Sequence, residues 1–199
     1  MIPARLVLAT GNPGKVDELR ALLAEWGQVE ALDLRAFPGL ELPEETESSY
    51  VGNAVMKARA VAAATDLPAL ADDSGLEVDA LGGEPGVRSA RWAGPQATDA
   101  ERIAKLLGAL AGVPGPARAA RFVCVVALVW PDGRAETAEG TCGGRIAPVP
   151  EGRAGFGFDP VFVADDLGRS LGRATSEEKH RISHRARAMR LLGARLLGA

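Results

Sequence analysis

Short apolar runs alternate along the chain with stretches of helical periodicity. Arg5–Thr10 reads as a buried strand, and Lys15–Trp26 switches to an amphipathic helix with Leu19, Leu22, Leu23 and Trp26 on one face. Val29–Leu34 is the next strand, followed by the Pro- and Glu-rich loop "FPGLELPEETESS". A second helix is predicted from about Ser49 to Thr65, and Pro68 bars its continuation. "LPALADDSGLEVDAL" reads as a strand, a tight turn and a short strand, and "GGEPGVRSARWAGP" as loop. Thr98 and Glu101 have the spacing of a capping box opening a helix to about Leu110. "ARFVCVVALVW" and "AETAEGTCGGRIA", joined by "PDGR", predict a β-hairpin. After "GRAGFGFDPVFV" the tail reads as helical, with Ser183 capping Arg185–Leu197. Such a mixture of helices with close and distant strands predicts an α/β fold around a mixed sheet. No repeat, low-complexity segment or clean boundary divides residues 1–199.

Composition narrows the class. The 199 residues suffice for one sizeable domain or two lobes around one sheet, and 47% hydrophobic with 25% charged residues is ordinary for a globular protein. A net charge of −3 argues against a general nucleic-acid binder while leaving room for a local cationic pocket. Cys124 and Cys142 have neither metal-ligand spacing nor a disulfide framework, which suits a reducing cytoplasm. Only Arg5 precedes the first strand, too little for a signal peptide, and the apolar run Phe122–Trp130 is too short to span a bilayer. The expectation is a soluble, cytoplasmic protein without a membrane or nucleic-acid partner.

Three features carry candidate chemistry. "TGNPGK", Thr10 to Lys15, is not a P-loop: its Gly-x-x-Gly-Lys spacing is too short, and Val16 stands where Ser or Thr would bind magnesium. Its glycines, helix N-terminus and lysine suit a phosphate all the same, although a plain strand-to-helix turn with a surface lysine has the same pattern. Asp72-Asp73-Ser74-Gly75 ends an apolar run, where active-site groups collect in α/β sheets. Two adjacent acids repel unless a cation or hydrogen bonds hold them. Magnesium takes one or two carboxylates plus substrate phosphates, and Glu44 and Glu45 offer another ligand. The alternative is an Asx-turn with a solvated acid. Finally, the chain has four lysines, Lys15, Lys57, Lys105 and Lys179, against nineteen arginines, which hints at places where a guanidinium does not substitute. Asn53 and Lys57, four apart, share a helix face.

"LATGNPGK", "PEET", "NAVMKA", "ADDSGLEVDALGGEPGVRSARWAG", "GFGFDP" and "SHRARA" occur in this order over almost the whole chain. On these motifs the chain resembles the inosine/xanthosine triphosphate pyrophosphatase family, house-cleaning enzymes that hydrolyse deaminated purine nucleoside triphosphates. The resemblance implies a long central mixed sheet flanked by helices, in two lobes with the active site in the cleft between them, one domain over residues 1–199, usually as a homodimer. It implies that Thr10, Gly11, Asn12, Pro13, Gly14 and Lys15 grip the triphosphate of ITP, dITP or XTP. Glu44 and Asp73 would bind Mg2+, with Asp73 also the catalytic base. Asp72, Lys57 and Asn53 would support that centre, and Ser74 would touch substrate. Phe156, Gly157, Phe158, Asp159, Lys179, His184 and Arg185 would form the base pocket. Two positions depart from the pattern: Gly52 stands where many relatives have Glu, and Phe158 where many have Tyr or Trp. A pyrophosphatase for modified pyrimidines and a non-catalytic nucleotide-binding protein are the alternatives. Intact Asp73 and Glu44 speak against the second.

Overall fold

The structure is a computed structural model that describes residues 1–198. Its strands are β1 (Arg5–Leu8), β2 (Glu30–Asp33), β3 (Ala69–Val78), β4 (Ala119–Val129), β5 (Ala135–Ile146), β6 (Phe162–Ala164) and β7 (Arg169–Ser170). They form one sheet in the order β2-β1-β3-β4-β5-β6-β7. β1 runs parallel to β2 and β3, whereas β6 is antiparallel to β5 and β7, so the sheet is mixed as expected. The helices are α1 (Pro13–Leu23), α2 (Tyr50–Thr65), α3 (Asp99–Ala109), α4 (Ser176–Ile182) and α5 (His184–Leu197). Among the described residues no helix is long and apolar enough to cross a membrane.

The chain divides into two compact units. The first comprises Met1–Asp73, Cys124–Gly140 and the C-terminal stretch from Arg185; the second comprises Ser74–Val123 and Thr141–His184. In the first unit, strand alternation sends side chains to two separate cores. Leu6, Leu8, Leu70, Cys124, Val126 and Leu128 pack with Leu19, Leu22 and Leu23 of α1 and Met189 and Leu192 of α5. Val7, Ala9, Ala69, Ala71, Val125 and Ala127 pack instead with Ala54, Ala58 and Val61 of α2. Covered on both faces, these strands are apolar on both sides over Leu6–Ala9, Ala69–Ala71 and Cys124–Val129, which is why those stretches read as unbroken runs. The second unit has one core, in which Leu76, Val78, Phe122, Ile146 and Phe162 meet Ile103 and Leu106 of α3.

Gly193 lets α5 approach Trp26, in the single 3-10 turn (Ala24–Trp26) that follows α1. A Cβ there would lie 2.5 Å from Nε1 of Trp26, whose indole N–H donates to the carbonyl of Met189 at 3.2 Å. Helix propensity alone favours Gly193→Ala by up to about 1 kcal/mol, but forcing a rigid buried indole aside costs about 1–3 kcal/mol. Overpacking wins. Gly193→Ala is expected to lower the melting temperature by about 4 °C, measurable by calorimetry; a rise would show that the indole yields freely.

The helices and the hairpin form close to their predicted places. Ser49 caps α2, accepting from Gly52 N–H, and Thr98 and Glu101 close a capping box on α3. One element is corrected. "LPALADDSGLEVDAL" is not a strand, turn and strand: β3 runs unbroken from Ala69 to Val78 straight through the two aspartates. The tail also differs. Before α5 it forms β7 and then α4, opened by a second capping box of Thr175 and Glu178, and Ser183 separates α4 from α5.

Candidate active site

In the first unit, α1 begins where β1 ends. Asn12 is its N-cap, accepting from Lys15 N–H at 3.3 Å, Pro13 occupies the first turn, and Thr10 Oγ1 accepts from Asn12 N–H at 3.3 Å. Gly14 and Lys15 lie in that turn. A Cβ on Gly11 would meet nothing within 4 Å, so no crowding within the fold explains a glycine there. Thr10, Gly11 and Pro13 border a cavity of about 300 Å³ shared with Asp17, Asp33 and Arg35.

β3 resolves the repulsion between the adjacent acids by its own geometry. Asp72 follows Leu70 onto the face of α1 and α5, and Asp73 follows Ala71 onto the face of α2. Asp72 is fully buried. Its Oδ2 accepts from Arg185 Nη2 at 2.7 Å and Nε at 3.1 Å, and Lys15 Nζ lies 2.9 Å away. Arg185, 1% exposed, reaches Glu18 of α1 with its other arm. Burial works to raise the Asp72 carboxyl, yet Arg185, Lys15 and Lys57 outweigh it and hold the group well below the usual carboxylate range. Burial likewise opposes charge on Arg185, and Asp72 and Glu18 more than restore it. Asp72 is a fixed anion.

Asp73 differs from its neighbour. Its Oδ2 accepts from Asn53 Nδ2 at 3.0 Å, and Lys57 Nζ stands 3.9 Å from its other oxygen. Lys57 is engaged more closely elsewhere, with Glu45 Oε1 at 2.5 Å and the carbonyl of Asp72 at 2.8 Å. Burial pushes the Asp73 carboxyl above its ordinary value, Lys57 and Asn53 pull it down, and Glu45 adds to the rise. A buried carboxylate raised in this way and flanked by a second acid is chemically suited to accept a proton or a hard cation. Among the described residues no three His, Cys, Asp or Glu side chains form a closed metal cage. Asp73 with Glu45 beside it supplies one or two carboxylates, the share of a Mg2+ site that protein ordinarily contributes when substrate phosphates complete it. Asn53 is itself held, its Oδ1 accepting from Glu47 N–H at 3.0 Å. The Glu47 side chain lies where a Cβ on Gly52 would project, which accounts for glycine at that departure from the family pattern.

The second unit gathers the other predicted residues. Asp159, 3% exposed, accepts on Oδ2 from Lys179 Nζ at 2.7 Å and from Phe156 N–H at 2.9 Å. Gly155 has a φ of +75°, and a Cβ there would collide with the same carboxylate. The Lys179 ammonium sits 4.5 Å from the centre of the half-buried Phe156 ring, a cation–π contact. Phe158 is 4% exposed and belongs to the apolar core. The His184 ring stacks on Phe122 with centroids 4.8 Å apart and planes within 14°. Ser74, partly exposed, begins this unit.

Three of the four lysines thus sit in ion pairs with the predicted aspartates or Glu45, and Lys105 donates instead to the carbonyl of Trp92 while covering its ring. Arg185, predicted beside the base, spends its guanidinium on Asp72 and Glu18 inside the first unit. Glu44 is exposed in its loop, and it is Glu45 that reaches Lys57. Neither Glu18 nor Asp99, which accepts from Gly157 N–H at 2.7 Å, is singled out by a motif of the sequence. Glu18 stands three residues after Lys15 on one helix face, the signal that could have found it.

The chain is 51% identical over 188 residues to a Thermus thermophilus protein named dITP/XTP pyrophosphatase, covering 94% of this chain and 89% of that one. It is 49% identical over 192 residues to a protein of the same name from Yersinia pseudotuberculosis, covering 94% and 95%. The structure of a HAM1 protein from Coxiella burnetii superposes with a TM-score of 0.88 at 41% identity, over 99% of this chain and 100% of that one. The Staphylococcus aureus Ham1 protein gives 0.85 at 38% identity, over 98% of each. The sequence profile of the Ham1 family matches residues 6–195. With the profile, the full-length relatives and the solved folds in accord, this chain belongs to the Ham1 family.

Proposed function

We propose that this protein hydrolyses deaminated purine nucleoside triphosphates, ITP, dITP and XTP, to the monophosphate and pyrophosphate, and so clears them from the cytoplasmic nucleotide pool. The observation that carries the reading is Asp73: a buried carboxyl raised by its surroundings, hydrogen-bonded to Asn53, in a chain half identical to dITP/XTP pyrophosphatases. Asp73 takes the proton of the attacking water, and Asn53 fixes the direction in which its second oxygen faces. Asp73 with Glu44 and Glu45 would hold Mg2+, which supplies charge neutralisation on the phosphates. Gly11 and Gly14 would offer backbone N–H groups to the triphosphate at the start of α1, where Pro13 has none and the Lys15 N–H is taken by the Asn12 cap, and Lys15 and Lys57 add positive charge. Lys15 can turn from Asp72 to a phosphate because Arg185 alone still neutralises that carboxylate.

The second unit's set supplies purine recognition. Phe156, rather than the buried Phe158, offers an aromatic face, and Lys179, oriented by Asp159, offers a donor for the 6-carbonyl that adenine lacks. His184 and Ser74 complete the substrate contacts. The family resemblance supports a homodimer, which sedimentation equilibrium tests. The deciding assay is pyrophosphate release from ITP, XTP, dITP, the ordinary triphosphates and modified pyrimidine triphosphates, with Mg2+ and then with a chelator. Release from the deaminated purines, abolished by the chelator, is the expected result. Turnover of none would refute the reading.

A further inference from the structure

Asp99 is the first residue of α3, one past the cap Thr98, where an acid is ordinary for any helix. The cap is already complete without it, since Thr98 and Glu101 satisfy each other's backbone groups. The Asp99 carboxylate works at longer range. Oδ1 accepts from Arg102 Nη1 at 2.6 Å, and Oδ2 accepts the backbone N–H of Gly157, 58 residues on, at 2.7 Å.

Gly157 has a φ of +63° and follows Phe156 directly. Two successive backbone N–H groups of the Gly155–Phe158 turn are therefore held by carboxylates from two different elements, Phe156 by Asp159 and Gly157 by Asp99. Between them hangs the half-buried ring beside the Lys179 ammonium. A turn containing two glycines at positive φ is intrinsically loose, and ordering it on binding would cost conformational entropy. The Asp99 contact orders it beforehand.

We propose that Asp99 is a positioning residue for base recognition, holding the Gly157 N–H so that Phe156 is presented to the purine. The inference rests on the reading that the second unit's set takes the base. Asp99 belongs to the second unit, whose set is read as taking the base, so its loss falls on KM rather than kcat.

The test is steady-state kinetics of the full chain with ITP, for wild type, Asp99→Ala and Asp99→Asn, with inorganic triphosphate as competitor. Asp99→Ala is expected to raise KM about fivefold, the worth of one charge-assisted hydrogen bond to a partly exposed group, with kcat nearly unchanged. Asp99→Asn keeps one acceptor oxygen for the Gly157 N–H but loses the charge and the Arg102 contact, and is expected to recover about half of the loss. Inhibition by inorganic triphosphate stays constant throughout. Should Asp99→Ala not fold, Asp99→Ser, favourable in a first turn but too short to reach Gly157, gives the same reading. An unchanged KM overturns the proposal. So does Asp99→Asn as impaired as Asp99→Ala, or weaker triphosphate inhibition in step with KM. Failure of the wild type to turn over ITP overturns the proposed function itself; ITP turnover with a KM indifferent to Asp99 overturns this inference alone.

Discussion

Asp73→Asn is expected to turn over ITP at least about a hundredfold more slowly than the wild type and to melt no earlier, in the range typical for removal of a general base. The substitution keeps the shape and the oxygen that accepts from Asn53 Nδ2, and removes the proton acceptor and its charge. Burial already disfavours that charge, so the fold loses nothing by neutralising it. Rate and stability then move apart, the behaviour of a group kept for chemistry rather than for folding. The check is kcat with saturating ITP beside a calorimetric melting curve. Near-normal turnover would move the base to Glu45 or Glu44. Asp72 is no candidate, because Arg185 and Lys15 crowd the same oxygen and depress its basicity.

Arg185→Met carries the largest expected effect on stability. It removes the guanidinium between two carboxylates and leaves Asp72 buried with Lys15 as its remaining close cation. Breaking a buried pair from one side costs about 3–5 kcal/mol, which for a chain of this length lowers the melting temperature by about 10 °C. Activity falls too, because Lys15 is then tied to Asp72 and no longer available to a phosphate. That loss is blind to the base, so kcat/KM for ITP and for ATP should fall by the same factor. A base-reading arginine would instead narrow the ratio between the two substrates, so comparing the ratios separates the roles. Arg185→Lys should recover part of the stability only, since one ammonium cannot bridge Asp72 and Glu18 as a planar fork does.

The two predictions mark where sequence reading was strong and where it stopped. Periodicity located α1, α2 and the hairpin because each is decided by local pattern and flanking caps. Asp72-Asp73-Ser74-Gly75 misled the reading of β3, since every residue of it is a turn former by local preference. What keeps the strand extended lies far off in sequence: Lys15, Lys57 and Arg185 neutralise the acids that would otherwise break it. The motifs named the residues of the candidate site but not their pairing. Arg185 follows His184 directly, yet each serves a different unit, a division that no linear spacing encodes. Glu45 was distinguished from Glu44 only by which of them reaches Lys57. The second capping box, Thr175 with Glu178, has the same spacing as Thr98 with Glu101 and is the local signal that starts α4 as a separate helix.

The unbroken β3 has a consequence for how this protein can change over time. Its two aspartates differ in character only because consecutive residues of a strand face opposite ways. Losing one residue between Ala69 and Asp72 would put Asp73 in the place beside Arg185, and gaining one would put Asp72 in the place beside Asn53. Point substitutions along the strand are graded injuries, whereas a single-codon insertion or deletion upstream of the pair would abolish the division of labour outright. Selection acting on the chemistry therefore also guards the strand's register, so length variation among functional descendants should gather in the loops and spare this segment.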